Sequence, residues 1–202
     1  MAIVLILAGV ILGVVGLDLL TKQIVLANLA EGQTVEWIRG VVHFTFVRNE
    51  GAAFGMLADH RWVFMVFSSL AIVGLGVYLF RFCRADLLTK ISLAFIIGGG
   101  IGNMIDRIAF GSVVDFIELP FLWLPVLNMY FPIFNVADSF VTVGVVILVV
   151  CLVRMQVRES RAAKREQEGA ADGRTDGNGE DSGQDGTDED EHEHEHENGN
   201  LG

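Results

Sequence analysis

The stretch ISLAFIIGGGIGNMIDR, residues 91–107, decides how this sequence folds. It carries no charge between Lys90 and Asp106, and it ends in a group of polar residues. A helix that spans a membrane needs roughly 20 mostly apolar residues. A span of that length takes Asp106 with it, so the stretch predicts a transmembrane helix with an acid near one end.

Other uncharged runs lie on both sides of this stretch, at residues 1–17, 62–80 and 139–153. Together they predict a mainly α membrane protein with four transmembrane helices. The first run has no basic start and passes smoothly into Asp18, which favours a retained helix over a cleaved signal peptide. A further uncharged run, 119–137, holds all three prolines, and proline removes backbone hydrogen bonds that lipid cannot replace. We therefore predict a loop or interfacial segment there.

The composition of the whole chain agrees with a membrane body and adds a charged tail. The 202 residues are 52% hydrophobic, with a mean hydropathy of +0.50. Residues 1–153 carry eight basic and ten acidic residues, whereas residues 154–202 carry six and fifteen. We predict a membrane domain at 1–153 and a charged, disordered cytoplasmic tail at 154–202. The acidic balance excludes a basic nucleic-acid binder, and two cysteines exclude a disulfide scaffold.

The basic residues set the expected orientation. Arg81, Arg84 and Lys90 crowd one short connection, and five more basic residues follow the last uncharged run within residues 154–165. Because cytoplasmic loops are enriched in Lys and Arg, we expect both termini and residues 81–90 to be cytoplasmic. The connections 18–61 and 106–137 then face outward.

Three acids are expected at one depth. Completing the short apolar runs draws Asp18, Asp106 and Asp138 into the ends of three different helices, all near the outer face. Asp115 follows shortly after on the same side. Since an ionised acid in lipid costs at least about 2.5 kcal/mol, this agreement indicates a polar cluster with a function.

The neighbours of these acids share their helix faces. Lys22 follows Asp18 by four residues, which predicts a local ion pair. Asn103 and Arg107 lie on the face of Asp106, and Asn135 precedes Asp138 by three residues. Gly98, Gly99, Gly100 and Gly102 are expected to let helix backbones pack closely.

Two neighbouring carboxylates cannot both ionise easily, so one keeps a proton while the other acts as a base. Such a pair can activate water against a peptide bond, and we expect no metal and no cofactor. The residues alone leave the pair open, because Asp106 fits as well as Asp115. They also allow a proton-coupled carrier, although no internal repeat supports it, or a scaffold whose polar residues only join helices.

Five motifs stand in a fixed order along the chain. They are DLLTK (18–22), RNEGAAFG (48–55), GNMIDR (102–107), VVDF (113–116) and FNVADS (134–139). In this order, over about residues 10–150, they resemble the lipoprotein signal peptidases (signal peptidase II), the intramembrane aspartic proteases of bacteria.

This resemblance implies roles for particular residues. It makes Asp115 and Asp138 the catalytic pair. It assigns support of the pair and substrate binding to the residues Asn49, Asn103, Arg107 and Asn135, and it places Asp18, Lys22 and Asp106 in the remaining polar motifs.

The resemblance also implies a substrate and a location. The substrate is a prolipoprotein that carries diacylglycerol on a cysteine, and the cut falls just before that cysteine. The active site lies near the extracytoplasmic face of the bacterial cytoplasmic membrane, so membrane lipids are expected partners. Residues 33–57 are expected to form a small extracytoplasmic β-rich cradle for the substrate.

Overall fold

The computed structural model describes residues 1–51 and 61–175. In chain order the helices are α1 (Ala2–Asn28), α2 (Arg61–Val77, continued by a π-helical turn at Tyr78–Phe82), α3 (Leu87–Phe110) and α4 (Val136–Thr175). The strands are β1 (Thr34–Ile38), β2 (Val42–Asn49), β3 (Val113–Glu118), β4 (Trp123–Leu124) and β5 (Met129–Tyr130). Residues 1–155 form one compact unit, and the described residues from 156 onward belong to a second.

Within the described residues, four helices are long and apolar enough to cross a membrane, at Ala2–Asn28, Met65–Phe82, Leu87–Phe110 and Val136–Arg165. The prediction of a mainly α protein with four transmembrane helices is therefore confirmed. The run 119–137 forms no span, because it contains only two-residue strands before α4 begins. The prediction of a loop there is also confirmed.

Helix α3 is the central helix of the membrane unit. Within an 18-residue apolar stretch of each helix, 56% of α3 is buried, against 17%, 6% and 17% of α1, α2 and α4. It is also the least hydropathic of the four, which fits a helix that contacts protein rather than lipid. Asp86 caps its start by accepting a hydrogen bond from Thr89 N (3.2 Å), and Gly111, at φ 74°, ends it in the left-handed conformation.

The glycines of α3 are packing positions, as predicted. A Cβ at Gly98 would lie 2.9 Å from the Val14 side chain of α1, and one at Gly100 would lie 3.0 Å from Ile72 of α2. A Cβ at Gly102 would lie 2.5 Å from Asp18 Oδ2. Only glycine leaves room for these close approaches.

The strands form a small antiparallel sheet in the order β1-β2-β3, and β4 pairs with β5 separately. The predicted β-rich segment 33–57 is confirmed for residues 34–49, and residues 52–57 lie outside the described residues. The register sets Val47 opposite Asp115 and Asn49 opposite Val113, after an irregularity between Phe44 and Val47. Asn49 and Asp115 thus become diagonal neighbours across the sheet.

The structure extends α4 past the predicted domain boundary at residue 153. Residues 154–175, which the sequence assigns to a disordered tail, continue the helix to Thr175. The reason is that this segment is rich in Ala, Arg, Glu, Lys and Gln, all of which favour a helix. The remainder of the predicted tail, 176–202, lies outside the described residues.

Candidate active site

The site is assembled at the start of α4. Asn135 precedes the first helical residue, and its side-chain oxygen accepts a hydrogen bond from Asp138 N (2.9 Å). In return, Asp138 Oδ2 accepts one from Asn135 N (3.2 Å). This reciprocal pair is a capping box, so the motif FNVADS both starts the helix and fixes the Asp138 carboxylate.

Strand β3 delivers the second acid. Phe134 pairs with β3, where its carbonyl accepts hydrogen bonds from Phe116 N (3.1 Å) and Ile117 N (2.7 Å). This pairing holds the residue before Asn135 against the strand that carries Asp115. Asn135 Nδ2 then donates to Asp115 Oδ1 (2.7 Å).

We call Asp115 and Asp138 the carboxylate pair. Asp115 also accepts a hydrogen bond from Asn49 Nδ2 (2.9 Å), and Asp138 Oδ1 accepts one from Asn103 Nδ2 (2.7 Å). The backbone N–H and side-chain amide of Asn135 reach one acid each. The two acids, 23 positions apart in the sequence, are therefore oriented by a shared set of amide donors.

The environment of Asp115 changes its acidity. Burial, with only 2% of the residue exposed, is the largest of the effects that together raise the pKa of Asp115 to about 6 from an ordinary value of 3.8. The negative charge of Asp138 also raises this pKa, whereas the hydrogen bonds from Asn49 and Asn135 and the charge of Lys22 lower it. A carboxyl with a pKa in this range can hold or release a proton near neutral pH.

Behind the carboxylate pair lies a second polar group, which we call the ion cluster: Asp18, Lys22 and Asp106. Lys22 Nζ lies 2.7 Å from Asp18 Oδ2 and 2.9 Å from Asp106 Oδ2, and it donates to Asn103 Oδ1 at 3.1 Å. These three acceptors match the three protons of an ammonium group. The predicted local ion pair of Asp18 and Lys22 is confirmed, and Asp106 extends it.

The ion cluster carries one more negative than positive charge, and backbone N–H groups offset the excess. Ala137 N, in the first turn of α4, donates to Asp18 Oδ1 (2.9 Å), and Val114 N donates to Asp106 Oδ2 (3.2 Å). A helix N-terminus favours an anion at this position. Asp18 is fully buried and Lys22 is 1% exposed, so the cluster is shielded from solvent.

The carboxylate pair faces a cavity of about 490 Å³. Asn49, Asn103 and Arg107 line the same cavity, and Arg107 Nη1 donates to the backbone oxygen of Asn103 (3.2 Å). The structure thus brings all nine residues singled out in the sequence into one neighbourhood. It divides them into residues that line the cavity and residues that hold them from behind.

The apolar wall of this cavity was not identified from the sequence. One side is a face of α2, made by Ser68, Ala71, Ile72 and Leu75. Their spacing of three, four and seven residues is the helical signal that could have found them. The other side is the segment 131–134, whose place depends on its pairing with β3 and carries no sequence signal that we recognise.

Comparisons with known proteins agree on a single family. The family model described as signal peptidase (SPase) II matches residues 10–154. The lipoprotein signal peptidase of Listeria monocytogenes serotype 4a (strain HCC23) is 45% identical over 140 residues, which are 69% of this chain and 87% of that protein. The one from Streptococcus pyogenes serotype M2 (strain MGAS10270) is 42% identical over 137 residues, 68% of this chain and 86% of that protein.

Solved structures show the same similarity. A bacterial membrane enzyme determined by the in meso method at 2.3 Å resolution is 30% identical, with a TM-score of 0.66 over 73% of this chain and 87% of that one. A second, at 1.9 Å resolution, is 30% identical, with a TM-score of 0.63 over 72% and 91%.

Proposed function

The chain belongs to the signal peptidase II family, and on that premise we propose that it cleaves diacylglyceryl-modified prolipoproteins just before the lipidated cysteine, with water activated by Asp115 and Asp138. Membership makes it a hydrolase that removes signal peptides from prolipoproteins, and its four apolar helices make it a multi-pass bacterial membrane protein. The proposal adds the lipid on the substrate, the position of the cut and the chemistry.

The single observation that carries the chemistry is that both carboxylates line one cavity and both accept a hydrogen bond from Asn135, Asp115 from its side-chain amide and Asp138 from its backbone N–H. One carboxylate takes a proton from water, and the hydroxide that forms attacks the peptide carbonyl carbon. The other, as the acid, gives its proton to the carbonyl oxygen, so a neutral tetrahedral intermediate results. When the C–N bond breaks, the carboxyl that took the proton from water gives it to the leaving nitrogen, and the other carboxylate takes a proton from a hydroxyl of the intermediate, so the pair again holds one proton.

The raised pKa of Asp115 supports a mechanism in which one carboxylate is the base and the other is the acid. Because the charge of Asp138 opposes ionisation of Asp115, a pKa of about 6 leaves an appreciable fraction of the pair with one shared proton near neutral pH. The amide donors of Asn49, Asn103 and Asn135 keep both carboxylates in place.

The cavity walls suit an extended peptide that enters from lipid. The α2 face and segment 131–134 are mainly apolar, whereas Asn49, Asn103 and Arg107 offer polar groups beside the carboxylate pair. This combination can bind small apolar side chains before the cut and fix the peptide backbone at the acids. The active site would then lie near the extracytoplasmic face, where the lipidated cysteine sits.

Cleavage of a diacylglyceryl-modified lipobox peptide by the purified chain tests the proposal. Mass spectrometry should locate the cut on the amino side of the modified cysteine, and the same peptide without lipid should be cleaved far more slowly. The double variant Asp115→Asn/Asp138→Asn is the negative control and should not cleave the peptide. Equal cleavage with and without the lipid, or a cut at another bond, contradicts the proposed substrate.

A further inference from the structure

The hairpin of β4 and β5 exposes an apolar surface. Its turn leaves Val126 94% and Leu127 53% exposed. The aromatic residues of the same hairpin are also exposed: Phe121 59%, Trp123 44% and Tyr130 61%. A contiguous apolar surface of this kind marks a contact with another apolar phase or partner.

Local structure fixes this surface. Trp123 pairs with Tyr130 across the strands, and their rings pack edge to face with centroids 4.9 Å apart. Leu127 N donates to Leu124 O (3.2 Å), and Asn128 closes the turn in the left-handed conformation at φ 51°. The apolar tip is therefore held out by a built turn and does not fold back onto the protein.

The chemistry of the hairpin favours lipid over a charged partner. Residues 119–137 contain no Asp, Glu, Lys or Arg, whereas the β1–β2 hairpin carries Glu36 and Arg39 at its end. Trp and Tyr at the base with aliphatic side chains at the tip is the arrangement found at membrane–water interfaces.

The position of the hairpin adds an independent argument. The next residues, 131–134, line the cavity together with Ile72 of α2 and Gly100 of α3, and both of these lie inside candidate spans. The fourth span begins at Val136. The hairpin thus lies between a cavity wall shared with two candidate spans and the start of the fourth span.

We propose that the β4–β5 hairpin is a lipid anchor, whose tip inserts into the membrane leaflet around the end of the bundle at which α4 begins. Its partner is the boundary between the glycerol groups and the upper acyl chains of ordinary phospholipid. The inserted tip would fix the depth of segment 131–134 and of Asn135, which follows it. The lipid contact does not depend on the proposed reaction, and its test needs no substrate.

Fluorescence quenching in vesicles tests the anchor. The variant Trp37→Phe/Trp62→Phe leaves Trp123 as the single tryptophan of the full chain. In phosphatidylcholine vesicles, lipid brominated near the glycerol end should quench Trp123 strongly, and lipid brominated at the chain terminus only weakly. Strong quenching by aqueous iodide together with no quenching by either brominated lipid overturns the proposal.

Charge at the tip provides the matched comparison. In the same background, Val126→Asp/Leu127→Asp should lose most of the bromolipid quenching, whereas Val126→Ile/Leu127→Met should keep it. Thermal unfolding should be the same for both, because these side chains are exposed. Undiminished bromolipid quenching in the aspartate variant contradicts the anchor. So does a dimer that the aspartates dissociate while Trp123 stays inaccessible to bromolipid, since a second copy of the chain would then be the partner.

Discussion

The ion cluster and the carboxylate pair contain the same acid, aspartate, at neighbouring positions, yet they have opposite surroundings. In the ion cluster Asp18 and Asp106 share the ammonium group of Lys22, and each also accepts a hydrogen bond from a backbone N–H group. In the carboxylate pair the hydrogen bonds come from amides, and both acids face the cavity. The difference teaches that partners and access, and not residue type, separate a structural acid from a reactive one.

The two regions are physically joined, which explains why the motifs occur together. Asn103 accepts a hydrogen bond from Lys22 of the ion cluster and donates one to Asp138 of the carboxylate pair. Ala137, next to Asp138, donates its backbone N–H to Asp18. The ion cluster therefore holds the start of α4, and with it the geometry of the carboxylate pair.

Removing the cation should break the ion cluster and gives the largest expected effect on stability. Lys22→Met leaves two buried carboxylates without their positive partner, which costs about 3–5 kcal/mol of folding free energy. The matched control Lys90→Met, at a partly exposed position, should change stability by less than about 0.5 kcal/mol. Thermal unfolding in detergent measures both. If Lys22→Met unfolds at the same temperature as Lys90→Met, the ion cluster does not stabilise the fold.

The pH dependence of stability should distinguish the two regions next. A raised pKa means that the folded state favours protonated Asp115, so this contribution is complete below about pH 4 and is lost as pH rises to about 6. The difference between the ordinary pKa of 3.8 and the raised pKa of about 6 corresponds to at most about 3 kcal/mol. Between pH 4 and pH 6, wild type should therefore lose up to about 3 kcal/mol of unfolding free energy relative to Asp115→Asn. A constant difference from pH 4 to pH 7 would show that Asp115 titrates normally.

Close packing between the regions can be tested with a single methyl group. Gly102→Ala places a Cβ about 2.5 Å from Asp18 Oδ2, and this overpacking should cost about 1–3 kcal/mol. At Gly13, on the same helix as Asp18, a Cβ meets nothing within 4 Å, so Gly13→Ala should not destabilise the protein. Equal unfolding temperatures for the two variants would contradict the close contact of α1 and α3.

An exposed ion pair should give the smallest change in unfolding free energy. Arg48 Nε lies 3.5 Å from Glu31 Oε2, and the two side chains are 37% and 58% exposed. Arg48→Gln should therefore change the unfolding free energy by less than about 1 kcal/mol, in contrast to Lys22→Met. A loss as large as that of Lys22→Met would mean that burial does not separate the two kinds of ion pair.

Much of the fold could be predicted because lipid imposes a simple pattern. The charge-free runs located all four spans, and the glycines of α3 indicated its close packing. The ends of the helices were predicted less accurately, because α3 and α4 extend beyond the charge-free runs into polar residues. The depth of Asp18, Asp106 and Asp138 was anticipated from helix length, and the hydrogen bonds that join their neighbourhoods agree with it.

The pairing of the carboxylates could not be derived from the residues alone. Asp106 and Asp115 are equivalent by helix length, and the choice of Asp115 came from the family resemblance. The structure shows the physical reason: Asp106 is turned toward Lys22, whereas β3 and the pairing of Phe134 carry Asp115 to Asn135. Such contacts between distant segments leave no periodic pattern in the sequence.

The turnover of single asparagine variants tests the central claim most directly. Asp115→Asn and Asp138→Asn, each purified as a folded protein, should cleave a lipidated lipobox peptide more slowly by at least about 10³-fold, because neither can move a proton. Near-wild-type turnover by either variant would contradict the claim that this pair of acids activates the water.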